Sequence, residues 1–266
     1  MGVEKGMRRA KYPTDLTDAQ WKLVRPLIPK PKPGGRPQSV DRREIFNAIF
    51  YLVRGGIQWR MLPHDFPPWG TVHYYYRQWR RDGMWEAIQN ALRTKVRHTA
   101  GRHKSPSAAI IDSQTVKTTE MGGPRGYDAG KRIKGRKRHI LVDTLGLLLA
   151  LVVHSAGIQD PAGAKLVLAK IVGRFPRLRL IWTDGAYQPV VGWAKSFGGW
   201  TLELVRKPKE LRTFQVLPHR WKVERTLGWL NRSRRLSKDY EHDTGSSEAM
   251  VHLAMIHLML KRLCPI

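Results

Sequence analysis

RHILVDTLGLLLALVVHSAG, residues 138–157, carries the strongest strand signal in the chain. Two apolar runs flank Asp143-Thr144-Leu145-Gly146, a tetrapeptide with turn chemistry, so the segment reads as two strands folded back on each other. Downstream, PAGAKLVLAKIVGRF (161–175) reads as a helix, with Asp160 as cap and Pro161 at the first helical position. RLRLIWTDGAY (177–187) reads as a strand that breaks at Asp184-Gly185, and residues 188–197 as a short helix. WTLELVRK (200–207) is a further strand; helices over 219–235 and 247–263 close the chain. Upstream, AAIIDSQTV (108–116) is an apolar strand turning polar after Asp112. Strands alternating with helices imply a mixed sheet covered by helices.

Residues 14 to about 100 differ in texture. Thr14 or Thr17 can cap a first helix, and Ser39 or Asp41 a second that Gly55-Gly56 stops. Thr71 can cap a third helix, and Trp85, Ile88 and Leu92 mark a fourth. PKPKPGGRPQ (29–38) is a Pro/Gly-rich connector. Short helices with tight turns, one carrying Arg77, Arg80 and Arg81, suggest a helix-turn-helix module that would set a helix in a DNA groove. A plain helical bundle is the alternative. The expected division is 1–104, helical and DNA-binding, and 105–266, catalytic.

Charge narrows the function. Lys and Arg number 48 against 21 Asp and Glu, a net +27, and self-repulsion of that size is relieved by a polyanion. Nucleic acid is the first candidate. A membrane is the weak one, because Leu145–Val153, the longest apolar passage, is far too short to span. The single cysteine, Cys264, excludes an internal disulfide and a cysteine-based zinc site, and fits a reducing cytoplasmic setting.

Three carboxylates stand out. Asp112 and Asp184 are read as closing apolar strands, where α/β sheets place their sites. Glu224 lies in RWKVERTLGWL, one residue off the apolar stripe Val223, Leu227, Leu230, at the border of a buried helix face. Phosphodiester cleavage suits such a set. Two Mg²⁺ or Mn²⁺ ions about 3.5–4 Å apart activate the attacking oxygen and stabilise the leaving one, and a few carboxylates suffice to hold them. Taken singly, each acid could equally be a helix cap, a turn former or a surface ion-pair partner. Asp143 reads as structural. Asp160 reads as a cap that could stand near the metals. His139, His154 and His219 are candidate proton shuttles, although structural roles are more ordinary for such residues. KRIKGRKR (131–138) contributes Lys131, Arg132, Lys134, Arg136, Lys137 and Arg138 as phosphate contacts bordering a DNA channel. Arg234, Arg235 and Lys238, read as extending the Glu224 helix, would act in the same sense.

The runs IIDSQTVKTT, GGPRGYDAGKRIKGRKRHILVDTLGLLL, WTDGAY and RWKVERTLGWLNRSRRL resemble the DDE transposases of bacterial insertion sequences, in the insertion-sequence-five group of the insertion-sequence-four superfamily. LTDAQWKLVRPLIP, GGRPQSVDRREIFNAIFYLVRGGIQWRMLP and WGTVHYYYRQW resemble that group's leading domain, so the likeness covers nearly the whole chain. The resemblance implies an RNase H-like mixed sheet with flanking helices. It implies that the family's two Asp and one Glu fall on Asp112, Asp184 and Glu224. It further implies metal-dependent cleavage of transposon ends and strand transfer into target DNA, by a dimer or larger assembly on the bacterial nucleoid. Of the superfamily's Tyr-x2-Arg-x3-Glu-x6-Lys signature, Arg220 fills the Arg place. Leu217 stands for Tyr and Asn231 for Lys, so a grip on the transposon end would pass to the neighbouring Arg232. A stand-alone nuclease and a non-enzymatic DNA-binding descendant are the rival readings.

Overall fold

The computed structural model describes residues 9–29, 40–205 and 218–265. Ser39, Arg206, Lys207, Leu217 and the connector beyond Pro29 lie outside the described residues.

The helical part comprises α1 (Asp18–Val24), α2 (Arg42–Gly55), α3 (Trp69–Arg81) and α4 (Met84–Thr99). Thr17, not Thr14, caps α1, closing a reciprocal box with Gln20, and Asp41 caps α2 through the Arg43 N–H. Gly56 ends α2 in a left-handed conformation at φ 74°. A Cβ there would meet that of Arg234 at 2.8 Å, so glycine also permits a close approach between distant segments. Thr71 is not the cap of α3. The helix begins two residues earlier at Trp69, because Pro68 ahead of it already supplies a compatible backbone.

The remainder is β1 (Ala108–Lys117), β2 (Gly126–Asp128), β3 (Ile133–Asp143), β4 (Leu148–Ser155), α5 (Asp160–Ala169), β5 (Leu180–Thr183), α6 (Val191–Gly198), β6 (Thr201–Leu204), α7 (Trp221–Asn231) and α8 (Thr244–Leu263). The strands form one mixed sheet in the order β2-β3-β1-β5-β6, with β4 also paired to β3. β1 runs antiparallel to β3 and parallel to β5, and β5 runs parallel to β6. The turn between β3 and β4 falls at residues 143–146 as expected. Asp143 closes it by accepting the N–H groups of Leu145 and Leu147 at 2.8 and 2.9 Å, while Arg97 neutralises it at 2.5 Å.

Asp112 does not close its strand; β1 continues to Lys117. The strand expected to begin at Arg138 begins earlier, at Ile133, so β3 carries Arg136, Lys137 and Arg138 of the basic run into its buried middle. The Glu224 helix ends at Asn231, and Arg234–Leu236 form a separate 3-10 turn. α5 also starts at Asp160 itself, with Gln159 in the cap position.

Strand alternation divides the core. Ala109 and Ile111 of β1 pack with Leu141, Ile181 and Leu202 against α5 and α6. Ile110, with Ile140, Val142, Leu148 and Trp182, faces the other way, toward α8, and this cluster is continuous with the buried apolar residues of α2, α3 and α4. Each such aliphatic side chain contributes roughly 1.5–3 kcal/mol by leaving water. α8 is buried along most of its length, yet no helix among the described residues is long and apolar enough to cross a membrane.

Several histidines lie inside. Burial holds the imidazoles of His139 and His252 below the ordinary histidine range, and that of His257, stacked on Phe50, at about 4. The unfolded chain takes up these protons from pH ~6.5 downward while the folded chain refuses them. Stability present above pH ~6.5 is therefore lost as pH falls toward the folded values, by up to about 1.4 kcal/mol per histidine per pH unit. The urea midpoint at pH 5 should lie well below that at pH 7; equal midpoints would contradict this burial.

Candidate active site

Parallel pairing brings the first two carboxylates together. β1 and β5 align Ile110 with Trp182, so two residues further on, where β5 ends and β1 continues, Asp112 stands beside Asp184. Asp112 shares the face of Ile110, the side on which α7 packs against β1. Its Oδ1 accepts the Ser113 N–H at 2.7 Å. Burial pushes its carboxyl up to about 6, against the pull of that N–H and of Arg220, and the nearby Asp184 charge raises it further. Asp184 follows β5 directly. Its Oδ1 accepts the Ala186 N–H at 2.9 Å and caps the turn 185–190, leaving Oδ2 free to face inward.

Glu224 is in the first turn of α7 and half exposed, as its place beside the apolar stripe implies; Val223 and Leu230 are buried. Three contacts fix α7. Gln114 of β1 donates to Asn231 at 3.3 Å, Thr226 Oγ donates to the Gly146 carbonyl at 2.9 Å, and Arg225 donates to the Leu145 carbonyl at 3.3 Å. A Cβ on Gly146 would meet Thr226 Oγ at 2.6 Å and the Trp229 ring at 2.9 Å, so glycine lets the helix approach the strand turn.

One nitrogen joins the three acids. Arg220 Nη2 lies 3.6 Å from Asp112 Oδ2, 3.5 Å from Asp184 Oδ2 and 4.0 Å from Glu224 Oε1. Every pair of these oxygens is thus closer than twice 4.0 Å. The backbone bearing Arg220 is held by His219, which adopts φ 64° and stacks on Trp182 of β5 at 3.9 Å and 5°. Three carboxylates against one guanidinium leave excess negative charge, a donor set suited to hard cations. Among the described residues, no three acidic, histidine or cysteine side chains are close enough as placed to hold one metal ion together.

A second polar cluster fills the opposite face of β1. Ser113 Oγ donates to Asp160 at 3.0 Å, Lys137 Nζ reaches Asp160 at 3.0 Å and Asp128 at 3.6 Å, and Thr115 donates to Asp128 at 2.6 Å. His139 bridges His154 at 2.8 Å and the Tyr187 hydroxyl at 3.0 Å. Asp160 therefore stands outside the Arg220 group, and His139 and His154 are internal. Ser113 and Tyr187 tie the strands carrying Asp112 and Asp184 to this network. Their only sequence signal is position, next to the first Asp and three residues after the second.

The basic residues separate by burial. Arg77 and Arg81 on α3, Lys131, Arg132 and Lys134, and Arg232 and Arg234 are exposed. Lys131 Nζ also donates to the Ser113 carbonyl at 3.2 Å, beside Asp112. Arg80 is half-buried and paired with Asp243. Arg136, Lys137, Arg138 and Arg235 are buried, which corrects their reading as phosphate contacts. Arg136 is committed to the carbonyls of Pro124, Glu241 and His242, and Arg138 to those of Leu236 and Lys238. Arg235 holds Glu241 at 2.8 Å and the Ile57 carbonyl at 2.9 Å. Groups so enclosed cannot reach a duplex.

Comparison with known proteins now bears on this geometry. The family model described as Transposase DDE domain matches residues 103–259, more than half of the chain and all three carboxylates. The chain belongs to the DDE transposase family. A second model, named for transposases of the IS4/5 family, matches residues 16–89, the helical part. An insertion element IS402 uncharacterized 16.2 kDa protein of Burkholderia cepacia is 29% identical over 117 residues, 42% of this chain and 78% of that protein. The uncharacterized protein y4sN of Sinorhizobium fredii (strain NBRC 101917 / NGR234) is 25% identical over 117 residues, 44% of this chain and 87% of its own. This DDE transposase thus carries both the leading helical region and the catalytic domain of its kind, and the sheet with flanking helices accords with that domain.

Proposed function

We propose that this transposase cleaves DNA at the ends of its insertion sequence and joins the freed 3′-hydroxyl to target DNA, with Asp112, Asp184 and Glu224 as the catalytic carboxylates. The observation that carries the reading is the convergence of all three on one point, within 4.0 Å of a single Arg220 nitrogen. The sheet order, with Asp112 on a central strand and Asp184 on its parallel neighbour, supports an RNase H-like assignment. When bound, a pair of Mg²⁺ or Mn²⁺ ions would activate the attacking oxygen and stabilise the leaving one. Asp112 and Asp184, side by side where β5 ends, would share that load, and Glu224 would complete one site from α7. The chain's own part is to aim three anionic groups at one phosphodiester and to hold their strands rigid through Ser113 and Tyr187.

The helical part, 1–104, would be the DNA-binding domain, with a helix-turn-helix arrangement placing one helix in the groove and Arg77 and Arg81 available on α3. Catalysis would reside in 105–266. Lys131, Arg132, Lys134, Arg232 and Arg234 would contact phosphates of nucleoid DNA around the site. Arg234→Ala should make the plot of log affinity against log salt shallower by nearly one unit; an unchanged slope removes Arg234 from the contact surface. Two ends cut in concert call for a homodimer or larger assembly. Sedimentation of the DNA-bound protein as a monomer would exclude it.

The test of function is incubation with linear DNA bearing the element's own ends, with and without Mg²⁺. Metal-dependent nicks at the ends followed by joined products are expected. Nicks without joining would identify a nuclease, and binding without either a DNA-binding descendant.

A further inference from the structure

Arg220 is held differently from the arginines of this fold that close on a single acid. Arg9 grips Asp15 with two bonds of 2.8 and 3.0 Å, and Arg235 meets Glu241 at 2.8 Å. Charge-assisted hydrogen bonds run to about 2.7–2.9 Å. Arg220 Nη2 instead stands at 3.5 to 4.0 Å from three acids and makes a short bond to none, and its Nε is buried without a hydrogen-bond partner. A guanidinium built in as a structural tie would close on one carboxylate. This one occupies a point that three carboxylates share, and it spaces them.

Mg²⁺ requires oxygens at about 2.0–2.1 Å, much closer than the distances here. The oxygens are arranged around a guanidinium nitrogen and not around a metal-sized point, in keeping with the lack of a ready cluster among the described residues. The backbone under Arg220 is pinned by the His219–Trp182 stack, so the acids can close only if the long side chain swings away. We propose that Arg220 is an internal counter-cation that competes with the divalent metal for Asp112, Asp184 and Glu224. It neutralises part of their mutual repulsion in the free protein and must leave before metal is held. The released guanidinium, carried by the cap residue of α7, is then available to a phosphate. This inference rests on the carboxylates being the metal site, as proposed above.

The test is Mn²⁺ binding to the full-length protein without DNA, read from the loss of the free-ion signal in electron paramagnetic resonance. Arg220→Gln and Arg220→Ala, each checked for native circular dichroism, should bind Mn²⁺ about tenfold more tightly than wild type, within the usual range of coupling between two sites. Arg220→Lys, which keeps a competing cation, should restore weak binding. Equal or weaker binding by the Gln and Ala variants overturns the competition. Asp112→Asn separates the two claims: if it leaves Mn²⁺ binding unchanged in both the wild-type and Arg220→Gln backgrounds, the carboxylate site itself fails; if it abolishes binding while Arg220→Gln changes nothing, only the competition fails.

Discussion

Asp112→Asn reduces strand cleavage in Mg²⁺ by roughly a thousandfold or more while leaving the protein folded and bound to DNA. The size follows from the several kcal/mol that metal-held charge contributes to a phosphoryl transition state, at one decade per about 1.4 kcal/mol. The retained fold follows from the same geometry. Asn keeps an oxygen for the Ser113 N–H at 2.7 Å, and burial has pushed the Asp112 carboxyl up to about 6, so the folded chain favours a neutral group there. A raised carboxyl pKa means that stability is lost as pH rises from about 3.8 through about 6, and removing the acid relieves that cost. The melting temperature of the variant should therefore equal or exceed that of wild type. Wild-type cleavage rates in Asp112→Asn, measured on end-bearing DNA in Mg²⁺, would remove Asp112 from the chemistry.

Arg136→Ala should act in the opposite way, losing the fold before any question of DNA arises. The guanidinium is fully buried on β3 and donates to the carbonyls of Pro124, Glu241 and His242, with Asp239 at 3.2 Å. Truncation takes the donor from those carbonyls and the counter-charge from the buried Asp239, which keeps only Ser247 and the Glu241 N–H, at a cost of about 3–5 kcal/mol, a large share of a domain's total stability. Guanidinium chloride unfolding should show a collapsed midpoint, or the protein should fail to express as soluble material. Lys134→Ala, two residues earlier on the same strand but exposed, should shift stability by less than about 0.5 kcal/mol. If Arg136→Ala unfolds like wild type and only its DNA affinity falls, the placement of this arginine is wrong.

The contrast between Arg136 and Lys134 shows where sequence reading runs out. The apolar halves of 138–157 and the turn at Asp143 mark β3 and β4 because burial and turn chemistry leave a pattern in residue type. The basic run leaves none. Apart from Ile133 it is Lys, Arg and Gly with no apolar face, and what buries Arg136 and Arg138 is a set of backbone carbonyls contributed by residues 124 and 236–242, invisible to any inspection of side chains. The same holds for Arg235, anchored by the Ile57 carbonyl and Glu241. Asp112 and Asp184 are legible as acids in apolar strands, although only Asp184 closes one, and Glu224 as an acid at the rim of a buried stripe. Their mutual closeness was not legible from spacing, since it depends on the parallel register of Ile110 with Trp182 and on the Gly146 contact that seats α7. Tyr187 and Ser113 were missed because a hydroxyl bonded across a sheet carries no local signature.

Asp112, Asp184 and Glu224, far apart in the chain, surround one Arg220 nitrogen, and the proposal is that a divalent metal takes that place. Anomalous diffraction from crystals of the protein soaked in Mn²⁺ tests it most directly. The account predicts a peak bounded by the oxygens of Asp112, Asp184 and Glu224, with the Arg220 side chain displaced from between them. A well-ordered peak elsewhere, or none at saturating Mn²⁺ with the three carboxylates still gathered around Arg220, would contradict it.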